Sequence, residues 1–305
     1  MIRRLIGFGI LVFVFISLSI FSDKAFADGG LTKIADNVYA YADIKGSSPQ
    51  NSFGANAGII IGKDGIVVVD TLTSAKEAQR FISDIRKISG KPIKYVINTH
   101  YHLDHTFGNS EFIKLGAIII SQANDSKSLQ KNGEATLKNA SVYGLTEKDM
   151  EGTKIAYPQL SFSDKLEIDL GDQKIELIYP GPSHTAGSIL IYLPDKKILF
   201  SGDVLFTGYH PFIADGDIKS WVKVLAYIMK MDVSTIIPGH GPISSKRDIA
   251  DMKNYLIAFD KNARKLSAKS NDGERIFYEI KKVLPARAEG EMLIKANIQM
   301  KYLKK

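Results

Sequence analysis

The order of secondary-structure signals predicts an α/β fold, with two sheets packed face to face and helices on the outside. Three observations carry this. Strand-like apolar runs come in two blocks, each block is followed by an amphipathic helix and a further short strand, and polar residues gather where strands end. With 45% apolar residues over 305 positions, the chain can bury such a core without cross-links.

In the first block, runs at 37–42, 57–61 and 66–69 read as strands, with Asp64-Gly65 as the hairpin turn between the last two. Residues 74–88 read as a helix: Ala75, Ala78, Phe81, Ile82 and Ile85 share a face, Ser74 is the N-cap and Gly90 the stop. A short buried strand at 95–98 leads into the polar run 99–109, and 117–120 is another strand. Residues 123–154 read as mostly helical and surface-lying. The second block has strands at 174–179, 189–193 and 198–201, a helix at 218–231 and a strand at 235–237. That helix buries Ile218, Trp221, Val222, Leu225 and Ile228, so Trp221 reads as core. Helical patterns run from Lys246 onward.

Arg3 and Arg4 precede an uncharged stretch, residues 5–21, and Ala25-Phe26-Ala27 then offers a small-residue cleavage site. Residues 1–27 read as a signal peptide, which places the mature chain in the periplasm or outside the cell, without stable membrane association; a retained membrane anchor is the alternative reading, because the uncharged stretch approaches bilayer-spanning length. Cleavage removes three basic residues and one acidic residue, lowering the net charge from +7 to +5. A charge this modest, with no basic block or Arg-aromatic stripe, does not indicate nucleic acid as a partner, and the expected partner is a small molecule. Cysteine is absent, which excludes disulfides, thiolate ligands and a cysteine nucleophile.

Three of the six histidines crowd into Thr99-His100-Tyr101-His102-Leu103-Asp104-His105. Imidazoles and a carboxylate on one turn are poor core material and good zinc ligands; iron and manganese accept the same set. His184, Asp203 and His240 each follow a strand, where sites in open sheets assemble. His210 and its neighbour Tyr209 sit a short loop beyond Asp203 and read equally as cleft lining or as structural residues.

The string His100-x-His102-x-Asp104-His105, followed by His184, Asp203 and His240, resembles the pattern of the metallo-β-lactamase superfamily. Val67-Val68-Val69-Asp70 is similar to that family's early strand. The resemblance covers residues 34–249 and implies a four-layer αβ/βα sandwich spanning 28–250, with 251–305 as a helical extension packed on it. It also implies two zinc ions per chain. His100, His102 and His184 would hold one, Asp104, His105 and His240 the other, and Asp203 would bridge them. Asp70 would orient ligands, and a metal-bridging hydroxide steered by Asp104 would attack the substrate.

The expected activity is hydrolysis of a small ester, lactone, thioester or β-lactam. Asp203 stands where one β-lactamase branch carries cysteine, and the full seven-residue set looks more like glyoxalase II, lactonases and phosphodiesterases. A mononuclear iron oxidoreductase of the persulfide dioxygenase type shares the first motif. A non-catalytic binding member of the fold is the third reading.

Overall fold

The computed structural model describes residues 30–42 and 48–303. The signal-peptide reading, residues 1–27, lies outside the described residues. Among those described, no helix is long and apolar enough to cross a membrane.

Two sheets form the middle of the molecule. The first has seven strands in sequence order: β1 (Thr32–Ala35), β2 (Val38–Tyr41), β3 (Ala57–Gly62), β4 (Gly65–Val69), β5 (Ile93–Ile97), β6 (Ile118–Gln122) and β7 (Leu160–Phe162). The second runs β12 (Thr235–His240), β11 (Ile198–Phe206), β10 (Leu190–Leu193), β9 (Lys174–Ile178) and β8 (Lys165–Asp169). The expected two halves are present as a repeated unit. In each, an antiparallel pair (β3–β4, β10–β11) is followed by a helix and a strand parallel to the second member (β5, β12). The helices are α1 (Ala75–Ile88) and α5 (Ile218–Ile228).

Strand alternation assigns side chains to layers. Val67 and Val69 of β4 point between the sheets, meeting Leu177, Ile191 and Phe200 from the second sheet. Ile66 and Val68 point the other way, beneath Phe81 and Ile85 of α1. The outer face of the second sheet is covered by α5 and α6 (Lys246–Ser267), with Trp221, Tyr255 and Phe259 fully buried. Each such side chain contributes roughly 1.5–3 kcal/mol over exposure. The order of layers is therefore helix, sheet, sheet, helix, the four-layer sandwich expected. Ser74 caps α1 as its sequence suggests, accepting from the Glu77 amide at 3.3 Å.

Several elements differ from expectation. β1, β7 and β8 are additional strands: β1 and β7 carry no clear apolar signal, and β8 alternates over only five residues, with Leu166 and Ile168 inward; Leu160 is 40% exposed, as befits an edge. The hairpin turn falls one residue early: Gly62 pairs with Gly65, and Lys63-Asp64 turn the chain. Only the first half of 123–154 is a long helix, α4 (Ala123–Lys138), followed by a 3-10 turn (Ala140–Tyr143) and irregular chain. The helix expected at 218–231 ends at Ile228. Two short helices follow β5: α2 (Leu103–Thr106) and α3 (Asn109–Ile113). The C-terminal region holds α7 (Gly273–Lys281), α8 (Glu291–Asn297) and a π-helical turn (Ile298–Tyr302). α6 runs through position 250 without a break, and Ile276, Ile280, Ile294 and Ile298 join the core beneath it.

Candidate metal centre

Parallel strands end on the same side of their sheet, and the polar residues collect at those ends. β4 is followed directly by Asp70, whose φ of 59° turns the chain sharply, a conformation aspartate tolerates better than most residues. β5 delivers Thr99 and His100, and the chain then folds into α2, where His102 is the N-cap and Asp104 and His105 lie in the first turn. His184 sits in the β9–β10 connection, and His240 closes β12. Asp203 lies inside β11 rather than at its end as expected. Gly202 takes φ 48° there and the pairing with β12 slips register, so the carboxylate is turned into the site from mid-strand.

The structure brings all seven expected ligand residues together in two adjoining groups. His100, His102, His184 and Asp203 form one; Asp104, His105 and His240 form the other; within each, the ligand atoms lie within 4.8 Å of one another. His184 Nε2 is 2.9 Å from His102 Nδ1 and 3.2 Å from Asp203 Oδ2. Asp203 Oδ1 is 3.2 Å from His105 Nε2 and 3.5 Å from His240 Nε2, so its two oxygens face the two groups. Asp104 Oδ2 completes the second group at 3.4 Å from His240 Nε2.

The other nitrogen of every one of these histidines faces a hydrogen-bond acceptor. His100 Nδ1 faces Thr99 Oγ1 at 3.1 Å, and His105 Nδ1 faces Asp70 Oδ2 at 2.8 Å. His102 Nε2 faces Asp215 Oδ2 at 3.0 Å. His184 Nδ1 faces the Phe212 carbonyl at 3.0 Å, and His240 Nδ1 the Phe53 carbonyl at 3.2 Å. Each ring is therefore held in a fixed orientation, with its other nitrogen aimed inward. Inside, His100 Nε2, His105 Nε2 and Asp203 Oδ1 are buried and make no hydrogen bond. Buried polar atoms left in that state are costly unless something binds them.

Electrostatics divides the groups. Burial drives His100 well below its ordinary value and His184 down to about 3, so both are neutral. Burial also opposes charge on His240, yet Asp203 and Asp104 outweigh it and raise that imidazole to about 9. His105 is raised too: burial opposes this, and Asp203, Asp104 and Asp70 prevail. The same histidines hold Asp203 well below the carboxylate range despite its burial.

The sequence model of the metallo-beta-lactamase superfamily matches residues 51–240. The chain belongs to that superfamily. Among relatives, the 2,4-dinitroanisole O-demethylase subunit alpha of Nocardioides sp. is 28% identical over 191 residues, covering 62% of this chain and 53% of that one. A type 2 metallo-beta-lactamase of Elizabethkingia meningoseptica is 24% identical over 215 residues, covering 69% and 78% respectively. A linear primary-alkylsulfatase of Pseudomonas sp. is 26% identical over 228 residues, covering 64% and 43%. The chain thus spans only about half the length of the first and less of the third. Solved structures share the superfamily fold. A metallo-beta-lactamase from Pontibacter korlensis has a TM-score of 0.62 at 21% identity, over 74% of this chain and 98% of that chain. A sec-alkyl sulfatase has 0.66 at 19% identity, over 89% and 49%.

The remaining expected residues have defined places in this superfamily site. Asp70 accepts from the Thr99 amide at 2.8 Å and the Thr99 hydroxyl at 2.7 Å, as well as facing His105. The Tyr209 ring lies 5.6 Å from that of His240. His210 turns away toward α6, its Nδ1 2.7 Å from the Tyr255 hydroxyl. Residues not singled out from sequence are Thr99 and Asp215, and the backbone carbonyls of Phe53 and Phe212. A lone aspartate in a loop and two main-chain oxygens leave no pattern to read.

Proposed function

We propose that this protein is a binuclear metal-dependent hydrolase, with zinc as its ions and a small ester, lactone, thioester or β-lactam as substrate. The observation that supports it best is the set of five histidines whose outer nitrogens are all engaged while their inner nitrogens converge with Asp203 and Asp104. Around a tetrahedral zinc with bonds near 2.1 Å, ligand atoms stand about 3.4 Å apart. Several inner-atom separations bracket that spacing: His102 to His184 at 2.9 Å, Asp104 to His240 at 3.4 Å and His100 to Asp203 at 3.7 Å. The buried atoms without hydrogen bonds are the ones a cation would satisfy.

His100, His102 and His184 would hold one ion, Asp104, His105 and His240 the other, and Asp203 would reach both. Bound there, zinc lowers the pKa of a water from 15.7 toward about 7 and polarises the oxygen of the scissile group. The chain's own residues prepare that chemistry. Asp70, Thr99 and Asp215 fix ring orientation. Asp104, at the rim and 8% exposed, can orient the attacking water and accept its proton. Export through residues 1–27 to the periplasm or beyond belongs to the same reading and rests on the sequence alone.

The test is zinc content and turnover of the purified protein beside Asp203→Ala. Substrates should include a chromogenic cephalosporin, lactones and thioesters, and, from the names of two relatives, alkyl sulfates and aryl methyl ethers. Two zinc ions per chain with turnover lost in the variant support the proposal. Fewer than two ions after loading overturns it, and oxygen consumption with a persulfide by an iron-loaded sample favours the oxidoreductase instead.

A further inference from the structure

The loop 208–217 lies between the metal centre and the end of the chain. On its front, the Phe212 carbonyl faces His184 Nδ1, and Asp215 Oδ2 faces His102 Nε2 and accepts from the Tyr101 hydroxyl at 2.7 Å. The Phe212 ring also packs 5.6 Å from that of His102. The loop has no helix or strand of its own between β11 and α5, so its backbone groups need partners from elsewhere.

Most of those partners come from the C-terminal region, between Ala288 and Lys301. Asn297, 1% exposed, accepts from the Ile213 amide at 2.7 Å and donates to the Pro211 carbonyl at 2.8 Å. Lys301, in the π-helical turn, donates to the Ala214 carbonyl at 3.1 Å and the Gly216 carbonyl at 2.6 Å. Further back, the Ala288 amide donates to the Gly208 carbonyl and the His210 amide to the Glu289 carbonyl. Four residues, Ala288, Glu289, Asn297 and Lys301, thus grip the loop from behind, on either side of Phe212 and Asp215, the two positions that engage the outer nitrogens of histidines.

We propose that Asn297 and Lys301 are positioning residues for the metal centre, clamping the loop so that Phe212 and Asp215 hold His184 and His102 in place. This rests on the reading of those histidines as ligands of one metal. The clamp is selective. The outer partners of His100, His105 and His240 are Thr99, Asp70 and Phe53, all far from the loop in sequence and on other elements. The chemistry of Asn297 is also specific, because it donates and accepts at once. An aspartate of the same shape can only accept, and would set a charged oxygen against the Pro211 carbonyl.

The experiment uses the purified protein loaded with cobalt, whose visible spectrum reports ligand geometry, and measures metal loss to a chelator. Asn297→Asp and Lys301→Met are compared with wild type and with Tyr302→Phe. Tyr302 lies in the same turn but anchors to Asp260 of α6 at 2.8 Å, not to the loop. The expected result is loss of one of the two metals on the order of tenfold faster in both clamp variants, with an altered spectrum. The second metal and Tyr302→Phe should match wild type. Folded clamp variants with wild-type spectrum and release rates overturn the proposal, as does equal loss of both metals in step with a lowered melting temperature. A wild type that holds no metal would instead overturn the hydrolase reading beneath it.

Discussion

His102 Nδ1 and His184 Nε2 face each other at 2.9 Å, each with its opposite nitrogen already engaged by Asp215 or the Phe212 carbonyl. Two imidazole lone pairs at that distance repel unless a positive charge lies between or beside them. In the neighbouring group the charge is already supplied by protons, since Asp203 and Asp104 raise His240 to about 9 and His105 above its ordinary value, overcoming burial. Zinc must displace those protons.

The first prediction is therefore proton release. Loading the metal-free protein at pH 7 should release at least two protons, from His105 and His240. Calorimetric titration in buffers of different ionisation enthalpy measures this number directly. Affinity should also rise with pH up to about 9, because displaced protons then cost less. A pH-independent affinity between 6.5 and 9 would contradict the assignment of charge to His240.

The same shift predicts how the metal-free protein depends on pH. His240 binds its proton more tightly folded, near 9, than unfolded, near 6.5. Its stabilising contribution is complete below about 6.5 and is lost as pH rises through about 9. The difference corresponds to roughly 3 kcal/mol. Chemical denaturation of the metal-free protein should show His240→Gln abolishing most of this decline, and zinc loading should remove it from wild type.

Asp70 carries the third prediction. It receives two donors from Thr99 and faces His105, all while 2% exposed and with φ at 59°. Asp70→Asn keeps the shape but turns part of the acceptor into a donor aimed at other donors. Stability should fall by about 1–3 kcal/mol, and zinc affinity at the His105 group by roughly 10–100-fold. Denaturant midpoints and competition with a metal indicator measure the two effects separately.

Much of this was legible in the sequence, for physical reasons. Val67, Val68 and Val69 announce a strand buried on both faces, and the phase of Ala75, Ala78, Phe81 and Ile85 matches the face that α1 buries. The seven residues of the centre stood out because dense histidine and aspartate at strand ends has little other use. What escaped notice lacks a periodic or compositional mark. β7 is a three-residue edge strand with two exposed residues, and β8 alternates, with Leu166 and Ile168 inward, over only five residues. The twist that places Asp203 mid-strand depends on one glycine conformation at Gly202. Asp215 acts through contacts set by Asn297 and Lys301, more than eighty positions later, and no local pattern encodes such a link.

Gly239 shows how closely backbone is packed against the centre. A Cβ added there would lie 1.9 Å from Asp203 Oδ1 and 2.7 Å from the Asp203 amide nitrogen. The neighbour that would have to move is the carboxylate facing both groups, itself held in a bulged strand beside β12. Gly239→Ala should therefore destabilise the fold by roughly 1–3 kcal/mol through overpacking, and should reduce bound zinc below two per chain by rotating Asp203 out of line. Gly90→Ala is the matched control, since a Cβ there meets nothing within 4 Å. Elemental analysis after loading, together with thermal melts of both variants, decides the matter. A Gly239→Ala protein with wild-type metal content would show that Asp203 has room to move, and that the close approach of β12 is not what aims it.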